Sequence, residues 1–265
     1  MQNLKVTIVQ SNLIWEDIRK NLEHFDELLN GSEKSDLIIL PEMFSTGFTM
    51  NNKILAENMQ GTAVNWMRKT AASKNAVVTG SLIIEDHEHY FNRLIWMQPD
   101  GELLFYDKRH LFSPANEQKY FSAGSRKIFP ELEEWKILPL ICYDLRFPVW
   151  ARQSPPFTEQ GSHPYDLLIY VASWPDKRIY AWKHLLIARA IENQSYVVGV
   201  NRVGNDGEGH YYPGASLMID PMGKIIFEAD EKEQAKTFEL SSRAIEDVRE
   251  RLPFLNDRDE FELRV

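Results

Sequence analysis

A single cysteine, Cys142, stands in the 265 residues of this chain. No intrachain disulfide can form, which fits a reducing compartment. Positive charge is also short: 30 lysines and arginines face 39 aspartates and glutamates, for a net charge of −9. Such a surface repels a phosphate backbone, so no nucleic-acid partner is expected. No apolar run approaches the roughly 18 residues that a membrane helix needs, so no membrane partner is expected either. The start, MQNLKVTIVQ, lacks a basic region followed by a long apolar stretch, so a signal peptide is not expected. These absences predict a soluble, cytoplasmic protein. There is no P-loop, no Gly-x-Gly-x-x-Gly after a strand and no His-Glu-x-x-His. Gly204, Gly207 and Gly209 read as a surface turn. One cysteine cannot build a Cys-rich zinc site. His87 and His89 fall in an acidic turn, EDHEH, and read as solvated. No metal site is expected.

What is present is ordinary globular composition, 43% hydrophobic and 26% charged. Strand and helix signals alternate along it. Leu4 to Gln10 is a β-rich run. Trp15, Ile18, Leu22, Phe25, Leu28 and Leu29 then recur at helical spacing and stop at Asn30-Gly31. Asp36 to Leu40, Ala76 to Ile84, Lys136 to Cys142, Asp166 to Ala172 and Ser195 to Asn201 read as buried strands. Thr62 to Ser73, Trp182 to Ile191 and Ser241 to Arg251 read as helices. Two hairpins are marked by turns at Pro99-Asp100-Gly101 and Asp220-Pro221-Met222-Gly223, the second joining Ala215–Ile219 to Lys224–Phe227. Continuous apolar strands imply sheets covered by helices, and hairpins imply antiparallel pairs, so the expected class is α/β with mixed sheets. The polar stretch Gln153 to Tyr165 reads as a surface loop too short to link domains. One domain over residues 1–265 is expected. The tail 252–265 starts with apolar Leu252-Pro253-Phe254-Leu255, which predicts that it docks on the body or on a partner subunit.

Three strand ends carry reactive groups. Cys142 closes the run KILPLIC, where α/β sheets place ligand sites. A buried structural thiol is the bland alternative, against which stand the polar Asp144 and Arg146 just beyond it. Glu42 follows the DLIIL run directly, as a base, an ion-pair partner or a cap. Lys108 and Arg109 follow the strand ending at Tyr106-Asp107. A carboxylate, an ammonium and a thiol are the parts needed to attack a carbonyl: base, oxyanion partner and nucleophile.

The motifs LPEMFSTGF (Leu40–Phe48), DKRHLF (Asp107–Phe112) and ICYDLRFP (Ile141–Pro148) resemble those of the nitrilase superfamily of carbon–nitrogen hydrolases. RAIENQSYVVGVNRVG (Arg189–Gly204) and the Pro221-Met222-Gly223 turn extend the likeness over nearly the whole chain. Glu42, Lys108 and Cys142 are separated by 66 and 34 residues, as in that family. RHLF-x-x-A-N-E and RFPVWAR are most similar to its bacterial ω-amidase branch. Val149 departs from many members, which carry a glutamate just after RFP.

The resemblance implies a four-layer α-β-β-α sandwich and a homodimer or higher even oligomer. It implies Glu42 as general base, Lys108 as oxyanion stabiliser, Cys142 as nucleophile and Glu117 as a second glutamate. It implies hydrolysis of the terminal amide of a small α-keto acid through a cysteine thioester, with no cofactor. The alternatives are an amidase or N-carbamoyl hydrolase for another small substrate, and a non-catalytic scaffold, which would be free to lose the three residues this chain retains. Around the centre, Arg146 reads equally as a carboxylate ligand or as a partner of Asp144. Arg178 and Arg202 are further candidates for the carboxylate. Trp174, Phe48 and Tyr143 read as pocket walls or as core aromatics, and Arg189 and Glu192 as a structural pair on one helix.

Overall fold

The apolar runs become the inner strands of two six-stranded mixed sheets. In this computed structural model the described residues are 1–152 and 165–264, so the loop expected at Gln153–Tyr165 lies outside them except for Tyr165. The first sheet runs Gln234–Leu240, Leu4–Gln10, Leu37–Ile39, Val77–Asp86, His89–Met97, Leu103–Asp107. Its three strands from Leu4 to Asp86 are parallel and the others antiparallel. The second runs Ile225–Glu228, Leu217–Ile219, Tyr196–Asn201, Leu167–Ala172, Trp135–Ile141, Glu131–Leu132, with its three central-to-late strands parallel.

The period of two along each strand sorts side chains into layers. Val6, Ile8, Leu37 and Ile39 join residues of the second sheet in one core, whereas Val9, Ile38 and Leu40 point the other way. There they meet Phe25 and Leu29 of helix Ile18–Asn30, and Val64 and Met67 of helix Thr62–Lys74. On the second sheet, helix Ile179–Asn193 buries Trp182, Leu186 and Ala190. It lies so close that a Cβ on Gly199 would stand 2.5 Å from Leu186 and 2.7 Å from Trp182, which only glycine avoids. Helix, sheet, sheet, helix is the four-layer α-β-β-α order that the motifs imply.

Several boundaries differ from expectation for physical reasons. The first helix starts at Ile18, where Asp17 caps it by accepting from the backbone of Lys20 at 3.0 Å; Trp15 stands outside its stripe. The strand expected from Ala215 begins at Leu217, because Ala215 sits at φ 52°, outside the β region. His89 opens a strand rather than a turn. Strand Gln234–Leu240 was not expected: its sequence QAKTFEL carries the charges that protect a sheet edge, and these dilute the strand pattern. In the tail, Leu255 is buried and the Leu252 carbonyl accepts from Gln194 Nε2 at 2.7 Å. Among the described residues no helix is long and apolar enough to cross a membrane.

Candidate active site

Parallel strands of both sheets end at one place. Leu37–Ile39 delivers Glu42, Trp135–Ile141 delivers Cys142, and Leu167–Ala172 delivers Ser173 and Trp174. Each of the first two ends in a sharp turn at positive φ, Met43 at 44° and Cys142 at 42°. Non-glycine residues rarely adopt this conformation, and its strain is held by neighbours. Ser81 holds the first turn, its hydroxyl accepting from the Met43 N–H at 2.9 Å. Asp144 holds the second, its Oδ2 accepting from the Ile141 N–H at 3.1 Å. Cys142 therefore begins a 3₁₀ turn, Cys142–Arg146, rather than ending the strand.

Glu42, Lys108 and Glu117 form a fully buried ion cluster. Lys108 Nζ donates to Glu42 Oε1 at 2.8 Å and to both Glu117 oxygens, at 3.1 and 2.9 Å. Glu42 Oε2 accepts from the Ser173 N–H at 2.9 Å, and the Phe112 N–H donates to Glu117 Oε2. Burial alone would discharge Lys108, but Glu117 and Glu42 outweigh it and hold its ammonium far above the usual lysine range. Burial also pushes the Glu117 carboxyl up, with Glu42 adding to this and Lys108 opposing it. The Cys142 thiol is driven up by burial and then by the charge of Glu42; Lys108 only partly offsets this. The resting sulfur is therefore a thiol beside a carboxylate that can take its proton, not a free thiolate.

The cluster opens into a cavity of about 720 Å³. Glu42, Lys108 and Cys142 line it; Glu117 does not, and grips Lys108 from behind. Phe48, Tyr143 and Trp174 all line this cavity. Trp174 also packs on Trp182 with ring centroids 5.5 Å apart, which makes it core on its other face. Arg146 lines the cavity with its guanidinium 5.0 Å from the Trp174 ring, and Arg178 does so 5.0 Å from Phe112. Arg146 makes no pair with Asp144, whose two oxygens are taken by His110, Tyr106 and Ile141. Among the described residues, neither Arg146 nor Arg178 has a carboxylate partner. Arg202 is different. It is fully buried and donates to the carbonyls of Leu13, Asn205 and Val203, which removes it as a substrate ligand. Arg189 pairs with Glu192 at 2.9 Å and also holds the Leu145 carbonyl at 2.6 Å behind the cysteine turn.

Four contributors escape the sequence patterns. Asn92 Nδ2 donates to Glu42 Oε1 at 2.8 Å and to Glu117 Oε1 at 3.3 Å. Ser173 offers only its backbone N–H to Glu42, so its side-chain type carries no signal. His110 gives its backbone N–H to Asp144 and shares a 2.8 Å contact through Nδ1, while its ring stacks on Phe147 at 3.8 Å. Tyr106 donates to Asp144 at 2.7 Å, which ties the lysine loop to the cysteine turn. Trp15, expected on a helix face, instead lines the cavity. Among the described residues no cluster of histidine, cysteine and acidic side chains could hold a metal ion.

The comparisons with known proteins agree with this architecture. The omega-amidase YafV of Escherichia coli K12 is 45% identical over 264 residues, covering 99% of this chain and all of that one. The 2-oxoglutaramate amidase of Bacillus subtilis is 36% identical over 90% of each chain. The crystal structure of XC1258 from Xanthomonas campestris, a CN-hydrolase superfamily protein with an arsenic adduct in its active site, superposes with a TM-score of 0.96 at 43% identity over the full length of both chains. The carbon–nitrogen hydrolase family pattern itself matches residues 5–250. A thiol, a carboxylate pair and a buried ammonium meeting at the ends of parallel strands are thus features of a chain that belongs to the carbon–nitrogen hydrolase family.

Proposed function

We propose that this protein hydrolyses the terminal amide of a small α-keto acid, 2-oxoglutaramate or 2-oxosuccinamate, to the dicarboxylate and ammonia. One observation carries the reading: a cavity that joins the Glu42–Lys108–Cys142 end to two guanidiniums, those of Arg146 and Arg178, that have no carboxylate partner among the described residues. The likeness to omega-amidase YafV over the whole chain supports the same substrate class.

The chemistry follows from the contacts. Cys142 Sγ attacks the amide carbon while its proton passes to Glu42, so no free thiolate has to accumulate. In this reading Lys108 and the backbone N–H of Tyr143 hold the oxygen that becomes negative; losing one such donor typically costs about a hundredfold or more in rate. Glu42 returns the proton to nitrogen, the C–N bond breaks and ammonia leaves a thioester. Water then attacks the thioester carbon and gives a proton to Glu42. The C–S bond breaks, and that proton restores the thiol. Glu117 keeps Lys108 charged and fixed. Arg146 and Arg178 take the substrate carboxylate at the far end, where a guanidinium can bind it in bidentate fashion.

Ammonia release from a panel of small amides, nitriles and N-carbamoyl compounds tests this. The two keto-acid amides should exceed glutamine, asparagine and aliphatic amides in kcat/KM; faster turnover of a simple amide, nitrile or carbamoyl compound would overturn the substrate assignment.

We also read the chain as one cytoplasmic domain that forms a homodimer or a higher even oligomer. Support comes from an exposed apolar patch: Ile191 lies against the Met222-Gly223 turn, and Ile225 and Ile226 follow on the next strand. Light scattering at micromolar concentration should show a dimer or its multiple, and a strict monomer would refute this.

A further inference from the structure

Asn92 lies on strand His89–Met97 and is fully buried. Its Nδ2 stands 2.8 Å from Glu42 Oε1 and 3.3 Å from Glu117 Oε1. Its Oδ1 is buried without a hydrogen-bond partner among the described residues. The opposite amide orientation would turn that oxygen towards two carboxylates, so the orientation is fixed by charge. Leaving an acceptor unpaired in the core is costly, and a leucine of similar volume would avoid that cost. The asparagine is therefore hard to explain as packing. Its backbone adds a second link, the Asn92 carbonyl accepting from the Lys108 N–H at 3.0 Å.

We propose that Asn92 is a positioning residue of this centre, its one amide group donating to Glu42 and Glu117 together and holding both carboxylates on Lys108. The inference rests on the amidase reading for its turnover assay. Two carboxylates on one ammonium leave an excess negative charge in a buried place. The groups facing the pair are Lys108, the Cys142 thiol and the backbone N–H groups of Ser173 and Phe112, with the Tyr212 hydroxyl near enough to interact with the charge of Glu42. A second cation there would compete with Lys108 for both acids. A neutral double donor steadies the pair without adding charge and leaves Glu42 able to gain and lose a proton during turnover. The carboxylates titrate as a coupled unit, so the consequence is stated for the cluster. Without the two donors the doubly ionised pair is harder to form, and proton uptake moves to higher pH.

Asn92→Leu tests this. The acid limb of its kcat/KM profile should move up by about one pH unit, the typical effect of losing hydrogen bonds to a charged group. The loss should be about tenfold on the acid side and smaller on the plateau, with KM little changed. Asn92→Ser keeps one donor and should shift the limb less, in the same direction. In a Glu117→Gln background the leucine substitution should have a clearly smaller effect, because one of its two partners is no longer an anion. The pH dependence of iodoacetamide labelling at Cys142 reads the same cluster without substrate, and should also be displaced in Asn92→Leu. A displaced labelling profile in a protein that turns over no amide would remove the amidase reading and leave the positioning role standing. Turnover and labelling profiles that both superpose on the parent, in the leucine and serine variants, would overturn the role of Asn92.

Discussion

At the triad end of the cavity Lys108 is shared by two carboxylates, whereas Arg146 and Arg178 have no acid beside them among the described residues. Lys108 is held by two carboxylates, and Glu42 is bonded through both oxygens. All three ionic side chains there are excluded from solvent. Arg146 and Arg178 are half-buried and lie over aromatic faces, with no carboxylate partner among the described residues. Pairing at the inner end fixes geometry, which a reaction needs. The two arginines are the carboxylate ligands of the proposed reaction. Substitutions inside should therefore act on kcat, and those outside on KM.

The largest effect is expected at Cys142. Cys142→Ala should lower turnover by about 10⁴-fold or more, with the fold intact by circular dichroism, and iodoacetamide should label only this residue in the parent. Substantial turnover in the alanine variant would place the chemistry elsewhere. The thiol also predicts a pH effect on stability. In the unfolded chain it ionises near pH 8.5, whereas in the native state burial and Glu42 hold the proton on. Above that pH the native state binds more protons than the unfolded one, so stability falls as pH rises. Cys142→Ala should lack this loss, and the two melting curves should diverge between about pH 8.5 and 10. Beyond about pH 10 both should fall, because burial also raises Tyr106, Tyr165 and Tyr170.

Lys108→Met should come next and should break stability along with rate. It strands two buried carboxylates, and removing one partner of such a group costs about 3–5 kcal/mol. Denaturant unfolding near neutral pH measures this. The deficit should shrink as pH is lowered, since Glu117, already pushed up by burial and by Glu42, then takes a proton. A variant as stable as the parent at neutral pH would show that the cluster is less strictly paired than its geometry implies.

Much of the fold and the inner end was legible in the sequence, because both rest on side-chain identity in short segments. Apolar runs announced the core strands that Glu42 and Cys142 follow, while Lys108 follows the half-exposed edge strand Leu103–Asp107. Strand Gln234–Leu240 was not legible, since edge strands carry charge. Trp15 was misplaced because a tryptophan just ahead of a helix fits the stripe as well as one within it. Arg146, Arg178 and Arg202 look alike in sequence, and only the three carbonyls gathered around Arg202 separate it from the others. Asn92 offered no clear signal, since strand His89–Met97 also carries His89 and Arg93. Its two partners lie 50 and 25 residues away, and no local pattern records them.

Arg146→Ala and Arg178→Ala sharpen the comparison from the outer side. Each should raise KM for 2-oxoglutaramate by about tenfold or more, the scale of a lost charge-assisted hydrogen bond, with kcat changed much less. Turnover of a small amide lacking a carboxylate should be nearly unaffected. If both variants lose kcat instead, the arginines shape the reacting end and the division fails.

The smallest effect is expected at the rim. His210 Nδ1 lies 3.2 Å from Asp206 in the short ladder Val203–Asn205 with Tyr211–Pro213, and both residues line the cavity. On paper this resembles a catalytic pair. Asp206, however, is already held without the ring: its Oδ1 accepts from the backbones of Glu208 at 2.9 Å and His210 at 2.8 Å, and Tyr212 donates to its Oδ2 at 2.8 Å. The His210 side chain remains 54% exposed, and an ion pair in that setting contributes about 0–1 kcal/mol. His210→Ala should therefore change kcat/KM less than about twofold. Asp206→Ala removes all four of these contacts at once and should loosen the turn, raising hydrogen exchange at residues 206–210 while Cys142 labelling stays near the parent rate. A larger kinetic loss for His210→Ala than for Asp206→Ala would mean that the ring meets substrate directly, and the functional site would then extend to the rim.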